Sequence, residues 1–496
     1  MEPATEDDGG FMGVHVGENM APALVSVHPK GAHIVVSIGA GLRIFDFLKN
    51  TPVAVEDNTT PGKHGEAIRA VAFNEEGTLF ASAGDDKLVK LWITETWSCV
   101  KTTRLPKKVT SVAFSKDSKW VLFADKFGAV HCLPTEVKDG KDEPFQLLAH
   151  CCSIITDLEV TSDGKYIVTS DRDFKIRVST IMGDISRLDV DCALGSTFQL
   201  FELILCVVAF TEHERLDQVS VFPRDPLKGA PEIWKYCLGH SSFVTCTAFV
   251  GKRSSGQQFL VSGSGDSTVR LWDYYNGKML DVFYTGEVEE LRNGKVEDDS
   301  SRAVSGLSVS PDGSVVAVLI ERFSGVLLLH YDDATKKLTH LESIFLSEQV
   351  SPTSLAFDVD SRLWLVAGAA ESIELGDQLV TPEDAAAAEA RAQMVARTAV
   401  AHVRLIRKHT SDLGGEDNAR ETLAAYKLCE EDSMPGGESL RLALQGSRAD
   451  AGEVAVAAEA AEQAMRKLMS KRQYTIEQRE NRKRFRNDKK LENKEG

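Results

Sequence analysis

The sequence predicts an all-β protein, a seven-bladed β-propeller, followed by a tail of different composition. Three observations lead to this prediction. Short apolar segments of strand length recur along the first part of the chain, separated by Gly, Asp and Ser turns. One unit opens with Gly239-His240 and closes with Trp272-Asp273. Weaker copies of that unit recur at roughly 40-residue spacing, which is the signature of a propeller blade.

The unit from Gly239 to Asp273 has the pattern of a WD repeat. We expect Asp266 in the tight turn between two inner strands, where its carboxylate accepts hydrogen bonds from turn amides and from His240. Ser262 and Trp272 extend this network. Buried polar groups persist only when they are satisfied, so these residues are expected as a set.

Seven segments fit the same unit, and their first strands are predicted at 23–28, 70–73, 109–114, 154–160, 243–249, 304–309 and 354–357. Two more units contain a similar polar set, predicted at His64, Ser82, Asp86 and Trp92, and at His150, Thr169 and Asp173. The last unit lacks an outer strand. We expect the N-terminal strand at 23–28 to supply it and close the ring, which removes exposed sheet edges.

The domain prediction has three parts: a disordered N-terminus at 1–13, the propeller at 14–375 and an Ala-rich, charged tail at 376–496 that is largely disordered or conditionally helical. Residues 179–219 do not fit a blade, because deleting them joins Val178 to Ser220 in an uninterrupted strand. They are predicted to be an insertion, either a retained intron in a gene model or a genuine surface loop.

Composition and motifs exclude several functions. A net charge of −17 disfavours general nucleic-acid binding, which depends on clustered Lys and Arg. The nine cysteines have no C-x-x-C spacing, and the chain is expected to start without a signal peptide, as an intracellular protein with reduced thiols. The longest apolar run, 200–210, is too short for a membrane span. We find no catalytic set, nucleotide-binding loop or metal-ligand spacing, and so expect no enzyme activity, cofactor or metal.

A family resemblance appears in the fourth unit. Thr169-Ser-Asp-Arg-Asp-Phe-Lys-Ile-Arg-Val-Ser179 resembles a motif of the non-catalytic WD-repeat subunit of tRNA (guanine-N(7)-)-methyltransferase. The segments Phe123 to Gly128, Cys237 to Val244 and Ser262 to Trp272 support the resemblance, which covers about residues 20–370 without the insertion. The sequence departs from the family pattern at Phe174, where an acidic residue is usual.

The resemblance implies a scaffold that stabilises a separate catalytic methyltransferase in a heterodimer. That partner would hold S-adenosylmethionine and form 7-methylguanosine in the variable loop of tRNA. Carried over by position, Lys126, Lys175 and Arg177 would pair with acidic residues of the partner, with Arg172 as a further candidate. The pattern alone leaves an alternative for Arg177, since the same register holds Lys90 and Arg270, whereas Lys175 aligns with Leu88 and Thr268.

The end of the tail is strongly basic, with 12 basic and five acidic residues between Arg466 and Gly496. Its core consists of Arg482, Lys483, Arg484, Arg486, Lys489 and Lys490. This run is expected to be a nuclear import signal, a basic arm that contacts tRNA, or simply a solvated terminus. We therefore expect a nuclear protein. Two other functions stay open: a substrate receptor of a cullin-type ubiquitin ligase, and a generic WD-repeat assembly scaffold.

Overall fold

The structure, a computed structural model, describes residues 20–55, 63–136, 143–150, 153–180, 233–252, 257–288, 302–346, 350–371, 401–409, 425–445 and 451–469. They form strands and two α-helices, together with short 3-10 turns.

A short strand, β1, spans Met20–Pro22. Blade 1 then contains β2 to β5 at Leu24–Val27, His33–Ile38, Gly41–Asp46 and Thr51–Val53. Blade 2 contains β6 to β9 at Ile68–Phe73, Leu79–Gly84, Leu88–Ile93 and Ser98–Arg104. Blade 3 contains β10 to β13 at Val109–Phe114, Trp120–Asp125, Ala129–Pro134 and Phe145–Ala149. Blade 4 contains β14 to β17 at Ile155–Val160, Tyr166–Asp171, Ile176–Thr180 and Ile233–Cys237.

Blade 5 contains β18 to β21 at Val244–Val250, Phe259–Ser264, Thr268–Asp273 and Lys278–Tyr284. Blade 6 contains β22 to β25 at Val304–Val309, Val315–Ile320, Gly325–Asp332 and Lys337–Phe345. Blade 7 contains β26 to β29 at Ser354–Phe357, Leu363–Glu371, Ala401–His409 and Ala425–Leu428. Helices α1 and α2 follow at Gly437–Gln445 and Ala451–Met469.

Each blade is an antiparallel sheet in which the strands pair in chain order. The first strands of neighbouring blades contact one another all round the ring, including those of blades 7 and 1. The seven-bladed propeller predicted from the repeats is therefore confirmed, and the first strands line its centre.

Apolar side chains hold the ring together at each junction. Seven buried clusters each join two neighbouring blades. Between blades 2 and 3, for example, Leu91 packs with Val112 and Phe123, and Phe123 is fully buried. The middle strands are apolar on both faces because each is sandwiched between two other blades, so they read as continuous apolar runs rather than alternating ones.

The predicted closure of the ring was wrong in its strand assignment. Leu24–Val27 is the inner strand of blade 1, while blade 7 takes its two outer strands from Ala401–His409 and Ala425–Leu428. The N-terminus still contributes, because β1 pairs with the end of β27 from Met20 opposite Glu371 to Pro22 opposite Ala369. The inner position is favoured because Val25 is buried against blade 7.

The predicted boundary of the propeller at residue 375 was also wrong. Two strands of blade 7 and both helices lie within the predicted tail. Helix α1 buries Leu440 and Leu444 in the core between blades 7 and 1, and Arg43 of blade 1 donates a hydrogen bond to the Leu444 carbonyl at 2.9 Å. Residues beyond β27 therefore complete the fold rather than follow it.

The predicted insertion begins too early. Strand β16 continues through Thr180, and Ser179 is buried and pairs with Ile167 on one side and Ile233 on the other. The pairing of β16 therefore requires Ser179 on both sides and Thr180, opposite Tyr166, on one side. Residues 181–219, and the predicted disordered segment 1–13, lie outside the described residues.

A buried carboxylate links three blades near the centre of the ring. Asp157 on β14 accepts hydrogen bonds from the Thr247 amide at 2.7 Å, the Thr247 hydroxyl at 2.9 Å and the Ser111 hydroxyl at 3.3 Å. Ser111 belongs to blade 3 and Thr247 to blade 5. Desolvation raises the pKa of Asp157, and these donors oppose that shift.

We expect Asp157→Ala to lower the free energy of unfolding by about 2–4 kcal/mol, because it leaves several buried donors without an acceptor. The measurement is denaturant unfolding of the full chain. Glu95→Ala is the matched control, since Glu95 is exposed in a turn of blade 2, and it should stay within about 0.5 kcal/mol of the parent. Equal stability of the two variants would contradict the proposed linking role.

Candidate functional site: the turn face

The candidate site lies on the face formed by the turns between the second and third strands of the blades, here called the turn face. The residue after each second strand donates its amide to the carbonyl that precedes the first strand. The bonds run from Asp85 to Ala67, Lys126 to Lys108, Arg172 to Ile154, Gly265 to Phe243 and Glu321 to Ala303. These five residues are therefore equivalent positions on successive blades.

Blades 2 and 5 contain the hydrogen-bonding sets that the repeats predicted. In blade 5, His240 contacts Asp266 at 3.0 Å and Ser262 at 2.8 Å, and Trp272 donates to Ser262 at 2.8 Å. In blade 2 the corresponding distances are 2.8 Å for His64–Asp86, 2.8 Å for His64–Ser82 and 2.9 Å for Trp92–Ser82. Both sets link the turn to the third strand and have a structural role.

Hydrogen bonds to the turn carboxylates outweigh the cost of burying them. Burial raises the pKa of Asp266, but donors that include His240 and Thr268 hold that pKa well below its usual range. Burial is also the main cause that lowers the pKa of His240. The set is therefore a charged carboxylate beside a neutral histidine at neutral pH.

Blade 4 departs from this arrangement. The sequence register placed Asp173 opposite His150, but His150 contacts Asp171 at 3.5 Å and Thr169 at 2.8 Å. Asp171 ends the second strand, where blades 2 and 5 have Gly84 and Ser264. Because neither of those residues has a carboxylate, their turns rely on the aspartate two positions later.

Two equivalent aspartates shape the turns that present the predicted basic residues. In blade 3, Asp125 accepts from the amides of Phe127 at 2.8 Å and Ala129 at 3.0 Å. In blade 4, Asp171 accepts from the amides of Asp173 at 2.8 Å and Lys175 at 3.1 Å. The same two-amide clamp therefore fixes the backbone around Lys126, Arg172 and Lys175.

Phe174, where the sequence departs from the family pattern, has a left-handed backbone with φ of 72°. Lys87, Gly128 and Ser267 occupy the same place in their turns and also have positive φ, at 63°, 96° and 61°. The turn conformation is thus imposed by the fold, and blade 4 adopts it with a bulky residue that favours it little.

The four predicted partner-binding residues differ in exposure. Lys175 is exposed, and Lys126 and Arg172 are half-buried. The Arg177 side chain is only 11% exposed, with its guanidinium 3.4 Å from Asp171 and over the ring of Tyr236. Arg270 makes the equivalent contact with Asp266, also at 3.4 Å. Arg177 therefore primarily stabilises its own blade, as Arg270 does in blade 5. This is the alternative that the shared sequence register left open for Arg177.

Lys175 and Arg177 nevertheless share one environment. Burial lowers the pKa of His150, and the charges of both residues lower it further. The alternation of side chains between the two faces of a strand does not extend to Lys175, because Lys175 precedes β16, which begins at Ile176. The two cations are brought near His150 by the turn and not by the period of the strand.

Buried polar atoms without a hydrogen bond are concentrated at the blade 4 turn. Among the described residues there, Nδ1 of His150, Oγ of Ser153, Oδ2 of Asp171, Nε of Arg172 and Nε of Arg177 make no hydrogen bond, although Asp171 lies in ion pairs with His150 and Arg177. Native proteins satisfy most such groups, and exceptions call for an explanation. The polar sets of the blade 2 and blade 5 turns, by contrast, are complete.

Helix α2 runs across the turn face, a feature that sequence reasoning missed. It packs on β27 and β1, and Val454 is buried against Val350 and Ala367. Farther along, Arg466 forms an ion pair with Glu321 of blade 6 at 2.6 Å. At its end, the Leu468 carbonyl accepts a hydrogen bond from Arg172 of blade 4 at 3.5 Å. The spacing of Val454, Ala458, Ala461 and Met469 could have indicated a buried helical face.

Glu462 is a second acidic residue where α2 meets blade 6, and its carboxyl group changes protonation state near neutral pH. Glu462 of α2 accepts from the Arg322 amide at 3.3 Å. Burial raises its pKa to about 7, and the negative charges of Glu321 and Glu459 contribute, while Arg322 opposes them. The carboxyl group is thus protonated below neutral pH when α2 is docked.

We expect α2 to dock more tightly at pH 6 than at pH 8. The docked pKa lies above the usual value of 4.5, so the docked state is favoured while Glu462 is protonated and weakens as the pH rises through about 7. Hydrogen exchange of residues 451–469, corrected for its intrinsic pH dependence, measures this. Glu462→Gln should abolish the pH effect, whereas Glu459→Gln, on the exposed side of the helix, should retain most of it, because the charge of Glu459 is the smallest of the causes that raise the pKa of Glu462. An unchanged pH effect in Glu462→Gln would contradict the assignment.

The described residues contain no group of His, Cys, Asp and Glu suited to a metal ion. No helix among them is long and apolar enough to cross a membrane. The basic cluster from Arg482 to Lys490 lies outside the described residues.

The ring of seven sheets and the His–Asp–Ser–Trp sets define a WD-repeat β-propeller. A family model for the WD domain, G-beta repeat, matches residues 58–92 and 143–178. A second model, described as the tRNA methyltransferase TRM82 WD40 domain, matches residues 232–375.

Individual proteins point the same way. The chain is 28% identical over 316 residues to the tRNA (guanine-N(7)-)-methyltransferase non-catalytic subunit wdr4 of Danio rerio, covering 62% of this chain and 63% of that protein. The Xenopus laevis subunit of the same name is 29% identical, with 64% and 68% covered. The TRM82 subunit of Vanderwaltozyma polyspora is 26% identical, with 55% and 54% covered. The resemblance seen in the sequence is confirmed as a similarity to the non-catalytic subunits of this methyltransferase, and the chain spans a little less than two thirds of the length of the Danio rerio protein.

Proposed function

We propose that this chain is a non-catalytic subunit that binds and stabilises a catalytic tRNA (guanine-N(7)-)-methyltransferase through the turn face of blades 3 and 4. The names of the relatives support the coarse assignment, since each is a non-catalytic subunit of that enzyme. S-adenosylmethionine and the methyl transfer belong to the partner.

The observation that carries the docking surface is the blade 4 turn. Lys175 is exposed there, beside two guanidinium groups that each have a buried Nε without a hydrogen-bond acceptor. Lys126 occupies in blade 3 the position that Arg172 occupies in blade 4. Carboxylates of a partner would pair with Lys175, and the positive charge of the two guanidinium groups beside it would strengthen that attraction.

Arg177 has a supporting part in this proposal. Its ion pair with Asp171 holds the carboxylate that clamps the Lys175 amide. Replacing Arg177 would therefore disturb the position of Lys175 as well as remove a positive charge. Loss of partner binding in an Arg177 variant alone would not distinguish these two causes.

We also propose where in the cell the protein acts. A methyltransferase partner that acts on tRNA is consistent with a nuclear protein, and the basic cluster from Arg482 to Lys490 would serve as the import signal or as an arm that contacts tRNA.

We expect Lys175→Glu to weaken binding of the catalytic partner by about tenfold or more, because it places a carboxylate opposite acidic groups. The measurement is co-expression and pulldown, followed by titration of the purified subunits and a tRNA methylation assay. Lys165→Glu is the matched control, because Lys165 is also exposed but lies in the turn between the first two strands of the same blade.

Thermal unfolding of both variants checks that blade 4 is intact. Equal partner binding by Lys175→Glu and Lys165→Glu would refute the docking surface. Failure of the unaltered chain to bind any catalytic subunit would refute the function itself.

A further inference from the structure

A cluster of aromatic side chains lies where blades 4 and 5 meet, here called the aromatic patch: Tyr166, Trp234, Tyr274 and Tyr275. Tyr166 begins the second strand of blade 4, and Trp234 lies in the outer strand of that blade. Tyr274 and Tyr275 belong to the turn between the third and fourth strands of blade 5. Because neighbouring strands of a blade are antiparallel, this turn and the turn face lie at opposite ends of the strands.

The rings of the aromatic patch are packed against one another and held in place. The ring centroid of Tyr275 lies 5.5 Å from that of Trp234 and 6.0 Å from that of Tyr166. The Trp234 indole donates a hydrogen bond to the Tyr275 carbonyl at 2.9 Å. The blade 5 turn also approaches blade 4 closely, since a Cβ at Gly277 would lie 2.7 Å from the Tyr236 carbonyl oxygen. The patch is therefore preformed, which lowers the entropy cost of binding a ligand.

Two of the rings are open to solvent, because Trp234 is 41% exposed and Tyr275 is 50% exposed. Beside them, burial raises the pKa of Tyr274 to about 12, and the negative charges of Asp163 and Asp273 contribute. The Tyr274 hydroxyl is therefore protonated at neutral pH and is a hydrogen-bond donor. Contiguous exposed aromatic surface of this kind marks an interaction site more often than single exposed rings do.

The charges that remain open beside the patch are positive. Lys235 and Lys278 are both exposed, and neither forms an ion pair within the part of the chain that the structure describes. The Lys235 ammonium lies 5.9 Å from the ring centroid of Trp234. A Cβ at Gly277, next to Lys278, would lie 3.5 Å from the Cβ of Lys235. The two lysines thus border the same edge of the aromatic patch.

The carboxylates near the patch are used within their own turns. Asp163 accepts hydrogen bonds from the Thr161 hydroxyl at 2.5 Å and from the Lys165 amide at 3.1 Å. Asp273 accepts from the backbone amide of Asn276 at 3.1 Å and from its side-chain amide at 2.7 Å. Charge complementarity at the patch therefore favours a ligand that carries carboxylates.

The chemistry of the patch fits an extended polypeptide. A polyproline II segment has no internal hydrogen bonds, so its carbonyl groups are free to accept from tyrosine hydroxyls. Aromatic-lined grooves recognise such proline-containing segments, because proline rings pack on aromatic faces. A helix satisfies its own carbonyls and would leave the hydroxyls without an acceptor. A stacked nucleic-acid base would need an open ring face, but Lys235 lies over the ring of Trp234.

We propose that the aromatic patch, together with Lys235 and Lys278, binds an acidic, proline-containing segment of a partner protein in extended form. This site lies at the opposite end of the strands from the turn face, so the proposal goes beyond the proposed function and does not depend on it. The chain would hold the catalytic subunit on one face of the ring and a second protein on the other.

The test uses the full chain and a fluorescein-labelled peptide of four Pro-Pro-Glu repeats, with fluorescence anisotropy as the measurement. A peptide of four Pro-Pro-Lys repeats controls for charge, and one of four Gly-Ser-Glu repeats controls for the extended proline conformation. We expect the Pro-Pro-Glu repeats to bind at least about tenfold more tightly than either control peptide.

Tyr275→Ala should weaken binding of the Pro-Pro-Glu repeats by about tenfold, because it removes an exposed ring from the middle of the patch. Phe345→Ala is the matched control, since Phe345 is 53% exposed in the outer strand of blade 6. Its affinity for the peptide should equal that of the parent chain. Thermal unfolding checks that both variants retain the fold.

Lys278→Glu should weaken binding by about threefold or more, because it places a carboxylate beside the acidic peptide. Lys337→Glu is the matched control and should bind as the parent does. Lys337 is exposed and pairs with Asp332 in blade 6, as Lys278 pairs with Asp273 in blade 5.

Several outcomes would overturn the proposal: no binding of the Pro-Pro-Glu repeats, equal binding of a control peptide, or equal binding by Tyr275→Ala and the parent. An oligouridylate that binds the parent chain but not Tyr275→Ala would assign the patch to RNA and overturn it as well. If only a chain without residues 181–219 binds the repeats, the patch is covered by the chain's own segment, and the proposal fails. Tyr275→Ala should bind the catalytic subunit as the parent does, so the proposed function is tested separately.

Discussion

In blades 2 to 5, the turn face depends on one interaction, a carboxylate that closes the turn by accepting backbone amides. In blades 3 and 4 this acceptor is Asp125 or Asp171 at the end of the second strand. In blades 2 and 5 it is Asp86 or Asp266, two positions later by register, with a histidine as partner. Because the acceptor is ionised and buried, the turn is rigid and the side chains next to it have fixed positions. A binding surface made of turns requires such rigidity, since loops otherwise lose entropy on binding.

The ring and the segment after it form one structure. Blade 7 obtains its outer strands from residues beyond 400, and α1 seals the junction of blades 7 and 1 with Leu440 and Leu444. A chain ending near residue 375 would leave the second strand of blade 7 with an open edge and would expose that core. The first and last blades of a propeller need such a closure because no covalent bond joins them.

Much of the fold could be predicted from sequence because the repeat is local. The strands at Val109–Phe114, Val304–Val309 and Ser354–Phe357 were predicted to the residue. Closure could not be predicted in the same way, because the Ala-rich segment before Ala401 has helical propensity, whereas the strand that follows is fixed by pairing with β27 and β29. For the site, the sequence register identified the blade 4 turn, but it assigned Asp173 as the carboxylate that contacts His150. Sequence alone could not show that Asp171, at the end of the second strand, makes this contact instead.

Equivalent positions on the turn face carry side chains of different charge from blade to blade. The residue after the second strand is Asp85, Lys126, Arg172, Gly265 and Glu321 in blades 2 to 6. Glu321 anchors α2 through Arg466, and Arg172 holds the other end of the same helix. Arg172 thus lies both under α2 and on the proposed docking surface. A partner that takes the Arg172 guanidinium must compete with the Leu468 carbonyl, so helix docking and partner binding are thermodynamically linked. The linkage is modest, because one 3.5 Å hydrogen bond at a helix end is exchanged while the Glu321–Arg466 pair remains.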